Sequence, residues 1–279
     1  MSILISVDIE GVAGVFHPEQ TRAGNGEYER ARRWMTEEAN AAIRGALAAG
    51  ATRVLVNDSH GGFRNLIPDL LHPEARSVLG KPRVLGMMGG VDQQIDAVMM
   101  LGYHSRSQGR GILAHTINSF AFARVWLNDM ELGEAGLYGA LAGEHGVPVI
   151  FGSGDDVFID ENRALFPHVT FVETKRAHGA NSGESLSPAR SCELIEIGAM
   201  QAVHHFAASR SHPESCPPLV IAAPLRCRLQ VQSTALTDLF CQLPILERID
   251  GVTVQFDAPG VEYAVRVLNS LSSMSFMLR

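Results

Sequence analysis

Short apolar runs alternate with longer helical patterns through the first two-thirds of the chain. The runs are rich in aliphatic and β-branched residues and lack the polar alternation of a half-exposed strand. Strands that are apolar on both faces are typical of parallel sheets covered by helices on both sides. Five strands are predicted in this way, at residues 3–7, 52–57, 97–102, 147–152 and 169–173.

The segments between these runs supply helices. They are predicted at residues 27–49, 133–144, 188–208 and 260–277. Together with the strands they predict an α/β fold, in which a mostly parallel sheet is sandwiched by helices.

The sequence pattern changes in the last third of the chain. A turn-rich stretch at 177–188 precedes the third helix, and residues 219–223 and 253–256 have the composition of further strands. We therefore expect a smaller C-terminal α+β domain. The predicted boundary lies near residue 185, which divides the chain into domains 1–185 and 186–279.

Charge and composition exclude several classes of protein. The chain has 279 residues, a formal net charge of −7 and no dense Lys/Arg stripe, which argues against a nucleic-acid binder. No apolar run approaches the roughly 20 residues of a membrane span, and the N-terminus lacks the basic region of a secretory signal. The four cysteines form no CxxC pair, so we expect reduced thiols and a cytoplasmic protein.

Acidic and imidazole side chains fall where the predicted strands end. Asp8 and Glu10 follow the first strand, His60 follows the second and His104 follows the third. In an open α/β sheet, ligands bind beyond the carboxyl ends of the strands, so these side chains are expected at one edge. Glu134, at the start of a helix, supplies a further oxygen. Such a set of oxygens and imidazole nitrogens suits Zn²⁺, Mn²⁺ or Co²⁺.

Each of these residues also has an ordinary structural interpretation. An Asp after a strand is often a turn residue or a helix cap, and a single loop histidine is more often hydrogen-bonded than metal-bound. A carboxylate such as Glu134 is favoured at a helix N-terminus by the helix dipole alone. The metal-site hypothesis depends on the joint placement of all five residues.

Two further residues stand near the predicted site. His115 follows a Gly-rich polar stretch at 105–111, and a histidine is the side chain best able to exchange protons near neutral pH. Its alternative is a structural role, with the ring fixed by a backbone carbonyl. Lys175 follows the fifth strand, and we expect a solvated lysine there.

The motifs together resemble one family. The run SVDIEG at 6–11 resembles the SxDxEG signature of the D-aminopeptidases of the DppA type, the M55 metallopeptidases. Four more blocks agree in order and spacing: NDSHG at 57–61, GYH at 102–104, AHT at 114–116 and GEAG at 133–136. GSGDD at 152–156 and TK at 174–175 are also similar to family blocks. The resemblance covers nearly the whole chain.

The resemblance implies a fold, a site and an activity. Members hold two zinc ions in each subunit, which implies Asp8, Glu10, His60, His104 and Glu134 as ligands, with Asp8 as the bridge. It implies His115 as the catalytic residue. The implied reaction is hydrolysis of N-terminal D-amino acids from short peptides or amides through a metal-activated water. The implied assembly is a homo-oligomer, with a ring-shaped decamer as the family prototype.

Two other functions stay open at the level of sequence. A two-metal site of this composition also serves phosphoesters, and Arg64, Arg106 and Arg110 lie near the motifs. The third hypothesis is a non-catalytic binding protein of the same fold. Such a protein would be recognised by the loss of one or more ligand residues. All five ligand positions carry residues able to bind a metal.

Overall fold

The computed structural model describes residues 1–279 except for the side chain of Pro213. Its strands are β1 (Ser2–Val7), β2 (Arg53–Asp58), β3 (Ala75–Val78), β4 (Ala97–Tyr103), β5 (Phe122–Leu127), β6 (Met130–Glu131), β7 (Val149–Asp155), β8 (Thr170–Gly179), β9 (Ser182–Ser185), β10 (Leu225–Val231), β11 (Glu247–Arg248) and β12 (Thr253–Ala258). Its α-helices are α1 (Gly26–Ala48), α2 (Glu134–Glu144), α3 (Asp156–Asn162), α4 (Pro188–Ser209), α5 (Thr234–Phe240) and α6 (Val261–Met274).

Seven strands form a large sheet in the order β3-β2-β1-β4-β7-β8-β9. All neighbouring pairs in it are parallel except β8 and β9. The five strands predicted from apolar runs correspond to β1, β2, β4, β7 and β8. The prediction of an α/β fold with a mostly parallel sheet is confirmed.

Helices cover this sheet because successive side chains of each strand point to opposite faces. Ile3 and Ile5 of β1 pack into the core formed with α1 and α4. Leu4, between them, packs into the core on the other face, which is shared with α2, α6 and a second sheet. This explains why Ile3, Leu4 and Ile5 are apolar in succession and why simple alternation is absent from this part of β1.

The two longest helices, α1 and α4, lie against each other on one face of the sheet. Asn25 begins α1, because its side chain accepts a hydrogen bond from the amide of Tyr28 at 2.9 Å. Gly45 lets the helices approach closely, since a Cβ there would overlap the carbonyl oxygen of Glu196 in α4. Small residues at this contact therefore fix the position of α1 over the sheet.

The second sheet is antiparallel, with the order β11-β12-β10-β5-β6. Strands β5 and β6 were not predicted. The strand predicted at 253–256 corresponds to β12, but the one predicted at 219–223 is wrong, and β10 begins at Leu225 instead. Prolines at 217, 218 and 224 flank the failed segment, and proline has no N–H to donate to a ladder.

The chain therefore crosses between the two sheets more than once. Strand β5 precedes residue 185 yet pairs with β10, while α4 follows residue 185 yet packs on α1. The division into domains 1–185 and 186–279 stays a prediction. Within the described part of the chain, no helix combines the length and the apolar character needed to cross a membrane.

Candidate metal centre

The candidate site lies where the carboxyl ends of β1, β2 and β4 meet. From β1 the chain turns to β2 on one side, whereas β4 and β7 extend the sheet on the other, so the crevice between β1 and β4 is a topological switch point. Asp8 comes directly after β1, and His104 comes directly after β4. The ordinary geometry of a doubly wound sheet thus places a carboxylate and an imidazole across the crevice.

All six side chains named from the sequence meet in this crevice. Asp8, Glu10, His104 and Glu134 are each no more than 4% exposed. His60 and His115 are more open, with 14% and 20% of their side-chain surface exposed. The cluster therefore has a buried floor and an accessible side.

One half of the cluster surrounds His60. Its Nδ1 lies 3.3 Å from Oδ1 of Asp8 and 3.0 Å from Oε2 of Glu10. The other oxygen of Asp8, Oδ2, lies 3.5 Å from Nε2 of His104. The two oxygens of Asp8 therefore face imidazoles on opposite sides, which is the arrangement that a bridging carboxylate requires.

The other half surrounds Glu134, the first residue of α2. Its Oε1 lies 3.6 Å from Nε2 of His104 and 3.6 Å from Nε2 of His115. The same oxygen accepts a hydrogen bond from the amide of Ile117 at 2.6 Å. Candidate ligand atoms fall into two overlapping groups within 4.8 Å: Asp8, Glu10 and His104, and His104, His115 and Glu134.

A backbone carbonyl fixes each imidazole through the ring nitrogen that faces away from the cluster. A carbonyl only accepts hydrogen bonds, so that nitrogen carries a proton, and in the neutral ring the nitrogen facing the cluster has a lone pair for a metal. Metal-binding histidines are usually oriented in this way. The pairs are His60 Nε2 with Thr21 at 2.8 Å, His104 Nδ1 with Ser105 at 2.9 Å and His115 Nδ1 with Leu113 at 3.0 Å.

The charges in the cluster shift one another's protonation. Burial alone would raise the pKa of Glu10, but the neighbouring imidazoles, His60 first, hold it well below its usual range. Burial and then the charge of Glu10 raise the pKa of Asp8. Burial opposes protonation of His60 and His104, yet the carboxylates raise the pKa of both well above the ordinary histidine value. Without a cation, protons on the imidazoles balance the carboxylates.

The donor set fits a metal ion. Oε2 of Glu10 and Nε2 of His104 are buried and make no hydrogen bond to any described residue. Leaving such groups unpaired is costly, and both are good zinc or manganese ligands. A cation bound here would take the place of the imidazole protons and satisfy both atoms.

Two glycines allow the ends of β1 and β4 to approach. A Cβ on Gly11 would overlap the carbonyl oxygen of Tyr103, and one on Gly102 would overlap that of Asp8. Gly102 also has a φ of +63°, which favours glycine. The glycines in the SVDIEG and GYH blocks therefore serve to bring Asp8 and His104 together.

Lys175 is not the solvated lysine that the sequence suggested. It is 2% exposed, and its ammonium donates to the carbonyl oxygens of Glu10 and Val15. Next to it, Thr174 Oγ1 donates to the carbonyl of Gly11 at 2.6 Å. Strand β8 thus fixes the loop after β1. A buried lysine of this kind carries no signal in local sequence, because the loop that it holds is 160 residues away.

Arg106 is one of the three arginines on which the phosphoester hypothesis depended. It already forms ion pairs with two carboxylates. Its Nη1 lies 2.9 Å from Glu161 and its Nε lies 3.4 Å from Glu131. A guanidinium engaged by two carboxylates is poorly placed to recognise a phosphate. Arg106 therefore lends no support to a phosphoester substrate.

Comparison with known proteins identifies the family of this chain. Residues 1–270 match the model of peptidase family M55, described as D-aminopeptidase. The chain belongs to this family, as its motifs indicated, and the predicted enzyme class, a hydrolase that acts on peptide bonds, is confirmed.

A sequence match and a structural match, both from Bacillus subtilis, illustrate the similarity. A D-aminopeptidase of strain 168 is 37% identical over 195 residues, which cover 70% of this chain and 71% of the relative. The structure of the Zn-dependent D-aminopeptidase DppA, described as a self-compartmentalizing protease, aligns with a TM-score of 0.92 and 30% identity. That alignment covers 99% of this chain and 98% of DppA. The shared fold thus extends over both sheets.

Proposed function

We propose that this protein is a zinc-dependent aminopeptidase that removes N-terminal D-amino acids from short peptides or amides. The observation that carries the proposal is the buried cluster in which Oε2 of Glu10 and Nε2 of His104 have no hydrogen-bond partner. Membership of the M55 family supports the peptide substrate. The zinc dependence of DppA supports the metal.

Asp8, Glu10, His60, His104 and Glu134 are the proposed ligands of two zinc ions. Asp8 is the proposed bridge, because its two oxygens face His60 and His104 separately. When bound, the ions would lower the pKa of a water and polarise the scissile carbonyl.

His115 is the proposed proton-handling residue. Its Nδ1 donates to the carbonyl of Leu113, so Nε2 of the neutral ring has a lone pair directed into the crevice. That nitrogen takes a proton during attack on the carbonyl and gives it to the leaving amine, the usual cycle of a general base that becomes a general acid. The partial exposure of His115 leaves this nitrogen within reach of a substrate.

A homo-oligomer is also part of the proposal, with the family's decameric ring as its form. DppA is described as self-compartmentalizing, which requires several copies. Exposed apolar side chains at the C-terminus support an interface, because Phe276 and Met277 are 58% and 76% exposed. The mass of the protein in solution tests this part separately.

A comparison of substrates tests the activity. The zinc-loaded protein is assayed with D-alanyl-p-nitroanilide, its L-enantiomer and p-nitrophenyl phosphate. Preferential hydrolysis of the D-anilide supports the proposal. Equal rates with both anilides would overturn the stereochemical part, and hydrolysis of the phosphate alone would overturn the peptidase assignment.

A further inference from the structure

The loop that carries His115 adopts a conformation that its own residues do not favour. We call residues 105–121, which join β4 to β5, the His115 loop. Leu113 and Ile117, two residues on either side of His115, have φ angles of +56° and +61°. Residues with β-branched or bulky side chains rarely adopt this left-handed backbone conformation, and it persists only where surrounding structure imposes it. The loop must therefore be held from outside.

Three hydrogen bonds from outside the loop hold its backbone close to His115. The amide of Ile112 donates to Oδ2 of Asp155 at 2.6 Å, and that of Leu113 donates to the carbonyl of Ala180 at 2.8 Å. The amide of Ile117 donates to Glu134, which already belongs to the proposed metal site. Of these three acceptors, Asp155 is the one that is a side chain outside the proposed metal site.

Asp155 is buried, and each of its two oxygens has its own hydrogen-bond partner. It ends β7, it is 1% exposed, and its Oδ1 caps α3 by accepting from the amide of Phe158 at 2.8 Å. The loop passes directly over the other oxygen, because a Cβ on Gly111 would lie 2.8 Å from Oδ2. One rigid carboxylate therefore joins the start of a helix to the loop.

We propose that Asp155 is a positioning residue that orients the His115 imidazole. The path is short: Oδ2 of Asp155 fixes the Ile112 amide, the next residue is Leu113, and the carbonyl of Leu113 accepts from Nδ1 of His115. The orientation of Nε2 toward Glu134 follows from that bond. This inference rests on the proposed catalytic role of His115.

Asp155→Ser separates the two bonds of this carboxylate. Serine is a good helix cap, so the bond from Phe158 is kept, but its hydroxyl is too short to reach Ile112 as well. We expect kcat to fall by about 10- to 100-fold, since a small misplacement of a reacting group has effects of that size. KM and zinc content are expected to stay at the wild-type values. Asp155→Asn, which keeps one acceptor oxygen, provides a second variant if the serine variant folds poorly.

The matched control is Asp156→Asn. Asp156 is the neighbouring acid at the start of the same helix, and its Oδ1 accepts from Ala177 at 2.8 Å in β8, away from the His115 loop. This variant loses a similar charge at the same helix terminus. It is expected to keep the wild-type kcat.

Hydrogen–deuterium exchange gives a readout that does not depend on turnover. In Asp155→Ser, amides 112–117 are expected to exchange faster, while α3 and the Asp156→Asn control stay unchanged. Unchanged loop exchange, or equal losses of kcat in both variants, would overturn the inference. A His115→Ala variant with full turnover would instead overturn the role of His115, and the exchange data would still show whether Asp155 holds the loop.

Discussion

His104 and His115 stack their imidazole rings face to face, with centroids 4.1 Å apart and an interplanar angle of 10°. Both direct Nε2 toward the same oxygen of Glu134, at 3.6 Å each. They differ in exposure, because His104 is buried while His115 opens toward the crevice. This difference in exposure is why we propose that His104 holds a metal and His115 handles a proton.

Replacing His115 tests that division. In His115→Ala we expect kcat to fall by about 10²- to 10⁴-fold, the usual contribution of a general acid–base group. His115 is the most exposed of the three imidazoles in the crevice, with 20% of its side-chain surface exposed against 14% for His60 and 1% for His104. Zinc per chain is expected to stay at the wild-type value. Steady-state kinetics and metal analysis on the same preparation measure both.

The control for this variant is His145→Ala, which removes a histidine at the end of α2 that lies 3.5 Å from Glu262, away from the crevice. It should leave turnover unchanged. If His115→Ala loses zinc, then His115 is a ligand together with His104 and Glu134, a grouping that the geometry of their ligand atoms also permits.

Asp8 is expected to matter to both metal positions. In Asp8→Asn the amide keeps the shape of the side chain but removes the charge between His60 and His104, so we predict the loss of most of the bound zinc. Glu10→Gln should release about one ion, since Glu10 lies closest to the His60 half, with its Oε2 3.0 Å from Nδ1 of His60. Metal analysis after gel filtration distinguishes the two patterns.

Asp96→Asn is a suitable control, because Asp96 lies at the opposite end of β4, where it accepts from the amide of Ser2 at 2.7 Å. Equal zinc losses in Asp8→Asn and Glu10→Gln would argue against the bridging role of Asp8. Full zinc content in Asp8→Asn would exclude it as a ligand.

Chelation is expected to lower thermal stability. Glu10, Asp8 and Glu134 are buried close together, and bound cations stabilise the folded state that holds them. At a zinc concentration one hundred times Kd, each bound ion contributes about 2.7 kcal/mol, or a Tm change on the order of 5 °C per ion for a chain of this size. Calorimetry before chelation, after chelation and after zinc is restored measures it. An unchanged Tm would show that the cluster holds no ion in solution.

Glu38 predicts a pH dependence that is separate from catalysis. Burial raises the pKa of this carboxyl to about 7, despite hydrogen bonds from Ser191 and the amide of Ala13 and the nearby charge of Lys175. An acid whose pKa is raised by folding binds its proton more tightly in the folded state. Its contribution to stability is therefore present at low pH and is lost as pH rises from about 4.5 to about 7.

Glu38→Gln removes this titration and keeps an oxygen for both donors. The free energy of unfolding of the variant, relative to wild type, should rise by on the order of 3 kcal/mol between those two pH values. Denaturant unfolding of the zinc-loaded proteins at several pH values measures the difference. A difference that stays constant across the range would contradict the assignment.

The metal cluster was predictable because its main members follow strands that local sequence reveals. Asp8, His60 and His104 each come within two residues of a buried strand end, and parallel strands bring their carboxyl ends to one edge. Glu134 was placed by the helix that it begins. The pattern could not predict that His115 stacks on His104, because His115 lies on a loop that has no periodic sequence pattern.

The features that were missed depend on distant partners. Strand β5 pairs with β10, about a hundred residues later, so no local signal marks it as part of a sheet. Asp155 was visible as part of the GSGDD block, but its contact with Ile112 depends on the path of the His115 loop. The buried state of Lys175 depends in the same way on the loop after β1. Local sequence pattern predicts helices and strands, whereas strand pairing and the contacts of single side chains depend on residues far away in the sequence.

The most direct test of the proposed function is a zinc titration of the chelated protein. Zinc is added in steps, and bound zinc per chain and hydrolysis of D-alanyl-p-nitroanilide are measured at each step. We predict that activity is absent without zinc and reaches its maximum at about two ions per chain. Full activity in the chelated protein, or saturation with zinc without any hydrolysis, would contradict the proposal.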